Sequence, residues 1–399
     1  MLNWTEFFIE QNKKLIISRP RIAKTGGNSR HILINNSQNS PQQLVNFVSN
    51  DYLGLSTNHA VSKTLYKACK SYGVGSSGAP SLGGYSQEHQ LLAQEMAQYL
   101  GFERCLLFSS GYQLNVSLFS QLTDNNTHIW LDKNCHASHI DGIILAKAKF
   151  STFNASSIEQ MSNKISQQNH LRHLILSEGT FSMDGSCNYW DKLIELKRAH
   201  LNLNNIFLVI DDAHGIGALG NKGHGTLEQL GLGFQHIDLL IGTFGKTFGT
   251  HGGFVCGSSD IIDYLQQSVR SQIFSTALPP VIAKASRQSL AIINSSQGTK
   301  LRVSLVNKIK HFQKLAADAG LNLYNYPLNQ SPIQLLIYSD EQIVIKIHQY
   351  LLENDFLVGR MLHPTVPKDK PRLRISLNIR HTKSDVERLI NLISQTIYK

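Results

Sequence analysis

The chain has 399 residues, enough for one large domain and one or two smaller pieces with their own cores. Hydrophobic residues make up 41% and charged residues 17%, a globular composition, and no apolar stretch approaches the ~20 residues of a membrane span. The 38 basic residues outnumber the 28 acidic ones for a net charge of +10. That charge draws polyanions in general, but the basic residues are dispersed and never interleave with aromatics in a compact run, so nucleic acid is not an expected partner.

Near the N-terminus, Glu6, Glu10, Lys13 and Lys14 break any apolar core, so the segment does not read as a signal peptide. The cysteines (Cys69, Cys105, Cys135, Cys187, Cys256) are scattered, odd in number and without a C-x-x-C pair. They read as reduced thiols in the cytoplasm, with no metal-ligand spacing. Residues 62–72 read as a helix. The following Gly73-Val-Gly75-Ser-Ser-Gly78 fits the dinucleotide fingerprint in letters only, because that motif needs a strand before it and a helix start after it. These glycines are expected instead to let a loop pass close to a ligand or a partner subunit.

From residue 87 onward, apolar runs alternate with amphipathic segments. The strands predicted are 105–108, 128–131, 148–153, 173–176, 206–210, 239–243 and 253–256, with helices over 87–100, 113–122 and 189–200. Such alternation predicts an α/β fold with a mainly parallel sheet covered on both faces and sites at the strand C-terminal ends. Beyond Pro279 and Pro280 lies a long helical region, then a compact region with strands at 333–337 and 372–376. The expected division is an N-terminal segment over 1–55, a large cofactor-binding domain over 56–290 and a smaller α+β domain over 291–399.

Chemistry concentrates at the ends of these strands. Lys246 lies in Gly242-Thr-Phe-Gly-Lys246-Thr-Phe-Gly249, just past one apolar run, and Asp211-Asp-Ala-His214 closes another. A lysine amine that forms a Schiff base and a carboxylate that pairs with a pyridinium nitrogen are the minimal set for pyridoxal phosphate. Ser109-Ser-Gly111-Tyr112 joins a strand to a helix, so its free N–H groups suit a phosphate, although many such turns carry Ser and Gly for geometry alone. His136, past the strand at 128–131, suits stacking on a flat ring, or is simply a satisfied loop histidine. His136 and His139 lack a third ligand of metal spacing, so no metal is expected. Ser182, in Glu178-Gly-Thr-Phe-Ser182-Met-Asp-Gly185, could donate to a ring oxygen or phosphate, or serve a plain Ser-x-Asp-Gly turn.

Taken in order, Asn46-Phe-Val-Ser-Asn50-Asp-Tyr-Leu-Gly-Leu55, Glu178 to Gly185, Asp211 to Gly215, Thr243-Phe-Gly-Lys246 and Phe274-Ser-Thr-Ala-Leu-Pro-Pro280 resemble the motifs of the α-oxoamine synthases. These are fold-type I pyridoxal-phosphate transferases that condense an amino acid with an acyl thioester. The resemblance runs from about residue 40 to the C-terminus. It implies a seven-stranded, mainly parallel sheet and a homodimer. Within the family, Ser331-Pro-Ile-Gln334, His363-Pro-Thr365-Val-Pro367, Arg372-Leu-Arg374-Ile-Ser376 and Gly84-Tyr-Ser-Gln-Glu-His89 are most like the members of biotin biosynthesis that join L-alanine to a pimeloyl thioester of coenzyme A or acyl carrier protein. Gly78-Ala-Pro-Ser-Leu-Gly-Gly84 departs from the family pattern near the acyl chain.

By this resemblance Lys246 forms the Schiff base and shuttles the α-proton, Asp211 pairs with the ring nitrogen, and His136 stacks on the ring. His214 and Ser182 bond the ring-oxygen region, and Gly111, Tyr112 and Thr243 serve the phosphate. Thr276 reaches the phosphate of the neighbouring subunit; Asn50 and Arg374 hold the amino-acid carboxylate, with Thr365 nearby; Arg19 or Arg21 meets the thioester. Glycine-using or long-chain acyl relatives, a cofactor-binding regulator without catalysis and a nicotinamide dehydrogenase are the alternative readings.

Overall fold

The computed structural model describes residues 3–14, 22–35, 40–168, 170–187, 189–324 and 329–397. Near the N-terminus, β1 (Lys24–Gly27), β2 (His31–Asn35) and β3 (Pro41–Asn46) form an antiparallel ribbon. Gly27, at φ 117°, makes the β1–β2 turn possible, since a Cβ there would stand 2.2 Å from the His31 carbonyl oxygen.

The central sheet contains β4 (Arg104–Phe108), β5 (Thr127–Asp132), β6 (Lys149–Phe153), β7 (Arg172–Glu178), β8 (Ile206–Asp211), β9 (Leu239–Thr243) and β10 (Gly253–Gly257). Its spatial order is β4-β10-β9-β8-β7-β5-β6, and β10 alone runs against its neighbours. Both faces are covered. Leu174, Leu176 and Val209 face one hydrophobic core while Ile175, Leu208 and Ile210 face the other, so the middle strands read as unbroken apolar runs rather than as alternating patterns.

Helices Pro280–Ile293 and Ser296–Asp318 lead into a smaller α+β region. It holds β11 (Ile333–Ile337), β12 (Phe356–Leu357), β13 (Gly359–Met361) and β14 (Arg372–Ser376), with β14 between β11 and β13 in an antiparallel sheet. The two-residue β12 pairs in parallel with β3 and carries the N-terminal ribbon against this region. The seven-stranded sheet and the smaller C-terminal sheet match the predicted fold class.

Element ends shift by a few residues. The helix expected from 62 is His59–Tyr72, because the Asn58 side chain caps it by accepting from Ala60 N at 2.9 Å. The glycine run 73–78 leaves this helix and enters the short 3-10 turn Pro80–Leu82. No strand precedes it, and the Gly78 carbonyl accepts from Ala277 N at 3.0 Å. The nicotinamide reading therefore has no structural basis here. Among the described residues no helix is long and apolar enough to cross a membrane.

Candidate active site

Register brings the site together at the C-terminal ends of β7, β8 and β9. Glu178 pairs with Asp211 across β7 and β8, and Asp211 pairs with Ile241 across β8 and β9. Lys246 follows the end of β9 at Thr243 and opens a turn that closes with Gly249 N bonded to the Lys246 carbonyl at 2.8 Å. Gly249 sits at φ 67°, and a Cβ there would meet Ser56 N at 2.2 Å, so the turn packs directly on the segment after Asn50-Asp-Tyr-Leu-Gly54. Lys246, Asp211, His214, His136 and Ser182 line one cavity of about 170 Å³, whose other wall is Gly111, Tyr112 and Thr243.

Asp211 is buried, yet its carboxylate is well supplied with donors. Oδ2 accepts from His139 Nε2 at 2.9 Å and from Asn115 Nδ2 at 3.1 Å, and Oδ1 accepts from Ala213 N at 3.0 Å. Burial pushes its pKa up, but the His139 hydrogen bond, Lys246 and Asn115 outweigh that and hold it at about 2. Burial lowers the Lys246 pKa, with the Asp211 and Glu178 carboxylates opposing. Its amine is thereby a better nucleophile and base near neutrality.

Glu178 was not singled out from the sequence as a site residue. Its Oε1 accepts from His136 N at 2.6 Å and its Oε2 from Ser182 N at 3.3 Å, so one carboxyl fixes the backbone of two site loops. Burial, reinforced by the Asp211 charge, pushes its pKa up to about 8.

His136 caps the helix Ala137–Leu145; its Nδ1 accepts from Ser138 N at 3.2 Å and lies 2.8 Å from Ser138 Oγ. The remaining ring proton therefore belongs on Nε2. His214 Nδ1 lies 2.7 Å from the Tyr52 hydroxyl, which also donates to Asn50 Oδ1 at 3.2 Å. Burial, then Lys246 and Arg374, drive the His214 pKa well below its usual value, so the ring is neutral. Arg374 gives Nε to the Ser182 carbonyl at 2.6 Å, Nη1 to Ser376 Oγ at 2.8 Å and Nη2 to Asn50 Oδ1 at 3.3 Å. The Tyr52 hydroxyl is a further hydrogen-bonding neighbour of this guanidinium.

Gly111, Tyr112 and Thr243 lie where β4 enters the helix Gly111–Leu122. Ser110 caps this helix, its Oγ accepting from Gln113 N at 3.1 Å. Thr243 packs beside it: a Cβ on Gly111 would touch the Thr243 side chain at 3.6 Å. Tyr112 is exposed, and its hydroxyl donates to Asp141.

Other predicted residues lie elsewhere. Thr276 is exposed and lines a separate cavity of about 710 Å³, where its carbonyl accepts from Ser109 Oγ at 3.0 Å. Thr365 is exposed in the turn after β13, its N–H bonded to the Leu362 carbonyl at 2.9 Å. Arg19 and Arg21 lie outside the described residues. Tyr52, Asn115 and His139, with Glu178, are the contributors that sequence reasoning missed. Tyr52 and Glu178 carried a signal, since both stand inside quoted motifs, and His139 was weighed only as a metal ligand.

Pyridoxal phosphate fits this donor set. A nucleophilic amine faces the cavity that an anionic carboxylate lines; a neutral imidazole and a hydroxyl border it; and a long helix presents its N-terminus at the far wall. Residues 42–393 match the aminotransferase class I and II family, and the chain belongs to this family of pyridoxal-phosphate enzymes. More particularly, it is 35% identical over 356 residues to the 8-amino-7-oxononanoate synthase of Saccharophagus degradans, covering 89% of this chain and 87% of the relative. It is likewise 35% identical over 357 residues to that of Thioalkalivibrio sulfidiphilus, covering 89% of each. Of solved structures, the 8-amino-7-oxononanoate synthase of Francisella tularensis superposes with a TM-score of 0.76 at 28% identity, over 89% of this chain and 98% of that one. Serine palmitoyltransferase of Sphingomonas wittichii superposes with a TM-score of 0.89 at 25% identity, over 98% and 96%. The α-oxoamine synthase resemblance is thus matched by both sequence and fold.

Proposed function

We propose that the chain catalyses the decarboxylating condensation of L-alanine with a pimeloyl thioester, releasing carbon dioxide, the free thiol and 8-amino-7-oxononanoate for biotin biosynthesis. The observation that carries this reading is the likeness to 8-amino-7-oxononanoate synthases over nearly nine-tenths of the chain. The site geometry supports it.

When bound, pyridoxal phosphate supplies an aldehyde to hold the amino acid and a ring that accepts the electron pair left by the α-proton and later by carbon dioxide. Arg374 and Asn50 beside it grip the amino-acid carboxylate. The Lys246 amine, of lowered pKa, takes the α-proton and returns a proton after decarboxylation. Asp211 stays anionic to balance a protonated ring nitrogen. The neutral His214 and the Ser182 hydroxyl hold the ring-oxygen side, and His136 covers the ring face. Gly111, Tyr112 and Thr243 receive the phosphate. The working unit is a cytoplasmic homodimer in which Thr276 faces the partner's phosphate, Thr365 lies on the substrate side and Arg19 or Arg21 meets the thioester.

A second reading, another α-oxoamine synthase with a longer acyl donor, is favoured by the fold likeness to serine palmitoyltransferase. One experiment separates the two. Purified holoenzyme is given L-alanine, glycine or L-serine with pimeloyl, acetyl, succinyl or palmitoyl thioesters, the pimeloyl group on coenzyme A and on acyl carrier protein. Thiol and carbon dioxide release with L-alanine and a pimeloyl donor alone is the expected result. Preference for L-serine with the palmitoyl donor overturns the reading, and no release with any pair leaves a cofactor-binding protein without this catalysis.

A further inference from the structure

His139 is fully buried, and the mechanism above gives it nothing to do. Its Nε2 faces the Asp211 carboxylate, which can only accept, so the proton sits on that nitrogen. Its Nδ1 has no hydrogen-bond partner among the described residues. A buried polar atom without a partner is costly, so the ring is held there by what its other nitrogen does. Asn115 has a matching arrangement: Nδ2 donates to Asp211 Oδ2 at 3.1 Å and to Ser138 Oγ at 3.0 Å, while Oδ1 lacks a partner among the described residues.

The packing that brings these groups together is specific. Helix Ala137–Leu145 crosses helix Gly111–Leu122 at Gly142, where a Cβ would lie 2.4 Å from the Asn115 carbonyl oxygen and 2.9 Å from the Phe119 ring. Only a bare α-carbon admits so close an approach. His139, one turn before Gly142, thereby reaches β8 beside Asn115, with its ring edge-on to Phe119.

We propose that His139, together with Asn115, is a positioning residue for the cofactor: two buried N–H donors fix Asp211 Oδ2 and keep the carboxylate oriented where it borders the cavity. Ser138 joins this pair to the ring-facing His136, since its hydroxyl and N–H both reach His136 Nδ1. One network thus sets the group opposite the ring nitrogen and the group over the ring face. The other ionisable groups whose fields meet Asp211 are Lys246, Glu178, Asp212, His136 and Cys135. All remain in place when His139 alone is changed.

The proposal rests on the assignment of Asp211 to the cofactor ring, and is independent of which thioester is used. It is tested with apo and holo forms of wild type, His139→Leu, His139→Gln and Asp211→Asn. Two quantities are read: the dissociation constant of pyridoxal phosphate, and the pH midpoint of the absorbance change of the bound cofactor. A hydrogen bond to a charged group corresponds to about tenfold to a hundredfold in binding. His139→Leu is expected to weaken binding by about tenfold and to move the midpoint toward that of Asp211→Asn. His139→Gln, whose amide offers an N–H to Oδ2, is expected to restore most of both. Wild-type affinity and midpoint in His139→Leu, with only the melting temperature lowered, would overturn the proposal and leave the histidine as packing. If Asp211→Asn itself matches wild type in both readouts, the assignment of Asp211 fails and takes this proposal with it.

Discussion

Glu178 and Asp211 face each other across two strands, yet their environments drive their pKa values in opposite directions. Asp211 is held at about 2 by its donors, whereas burial and the neighbouring charge raise Glu178 to about 8. An unfolded glutamate titrates near roughly 4.3. Between that value and 8 the folded chain holds a proton that the unfolded chain has released, so stability falls as pH rises through this window. Asp211 acts in a separate window, giving stability that is lost only as pH falls toward 2. Cofactor-free Glu178→Gln is expected to lose less stability than wild type between about pH 5 and pH 8, by on the order of a few kcal/mol. Urea unfolding at several pH values measures this, and parallel curves for the two proteins would refute it. At Lys246 the expectation is kinetic. Removal of a positioned general base costs about a hundredfold to ten-thousandfold, and the Schiff-base role proposed for this lysine adds to that. Lys246→Ala should therefore fall by at least about ten-thousandfold in kcat and recover part of it with added ethylamine, which replaces the missing amine.

The loop between β4 and the helix Gly111–Leu122 depends on a neighbour that has no side chain. A Cβ on Gly253, at the start of β10, would stand 2.8 Å from Gly111 N and 2.9 Å from the carbonyl carbon of Ser110. Backbone cannot yield as a side-chain tip can, so Gly253→Ala is expected to cost about 1–3 kcal/mol and to weaken cofactor binding by displacing the N–H groups of the loop. Gly75→Ala, with nothing within 4 Å, is the neutral control. Urea midpoints and cofactor titrations of both variants decide it; equal behaviour would show that the loop adapts. The sequence made the strands themselves legible, because burial on both faces leaves runs such as Ile206 to Ile210 without polar interruption. It could not show the closeness of Gly253 to Gly111, since a glycine in a strand looks the same whether it meets solvent or backbone. Nor could it give a role to Glu178, which heads a quoted motif, or to His139, weighed only as a metal ligand. Their work follows from register and from a helix crossing, and the same letters elsewhere fill ordinary loops and cores. Asn50 and Arg374 stand 324 residues apart, and only the resemblance to known motifs, not periodicity, pointed to them together.

At the scale of the whole molecule, Thr276 poses a question of assembly. It is exposed, and the cavity it lines is separate from the one around Lys246, although Ser109 Oγ ties its carbonyl to the strand end preceding Ser110 and Gly111. The homodimer proposed above has that hydroxyl serve the phosphate of the partner copy. A homodimer in which each Thr276 completes the partner's site gives a definite expectation. Lys246→Ala homodimers should be inactive, and Thr276→Asp homodimers should lose cofactor at low concentration, because an added carboxylate repels the phosphate. When the two variants are unfolded together and refolded as mixed dimers, one site carries both changes and the other carries neither. Turnover should therefore reappear in the mixture, measured at limiting pyridoxal phosphate. Had Thr276 served its own subunit, every site in a mixed dimer would carry one of the two changes, and no activity would return. Sedimentation of each preparation fixes whether dimers are present, so a failure to assemble is distinguished from a wrong assignment of the threonine.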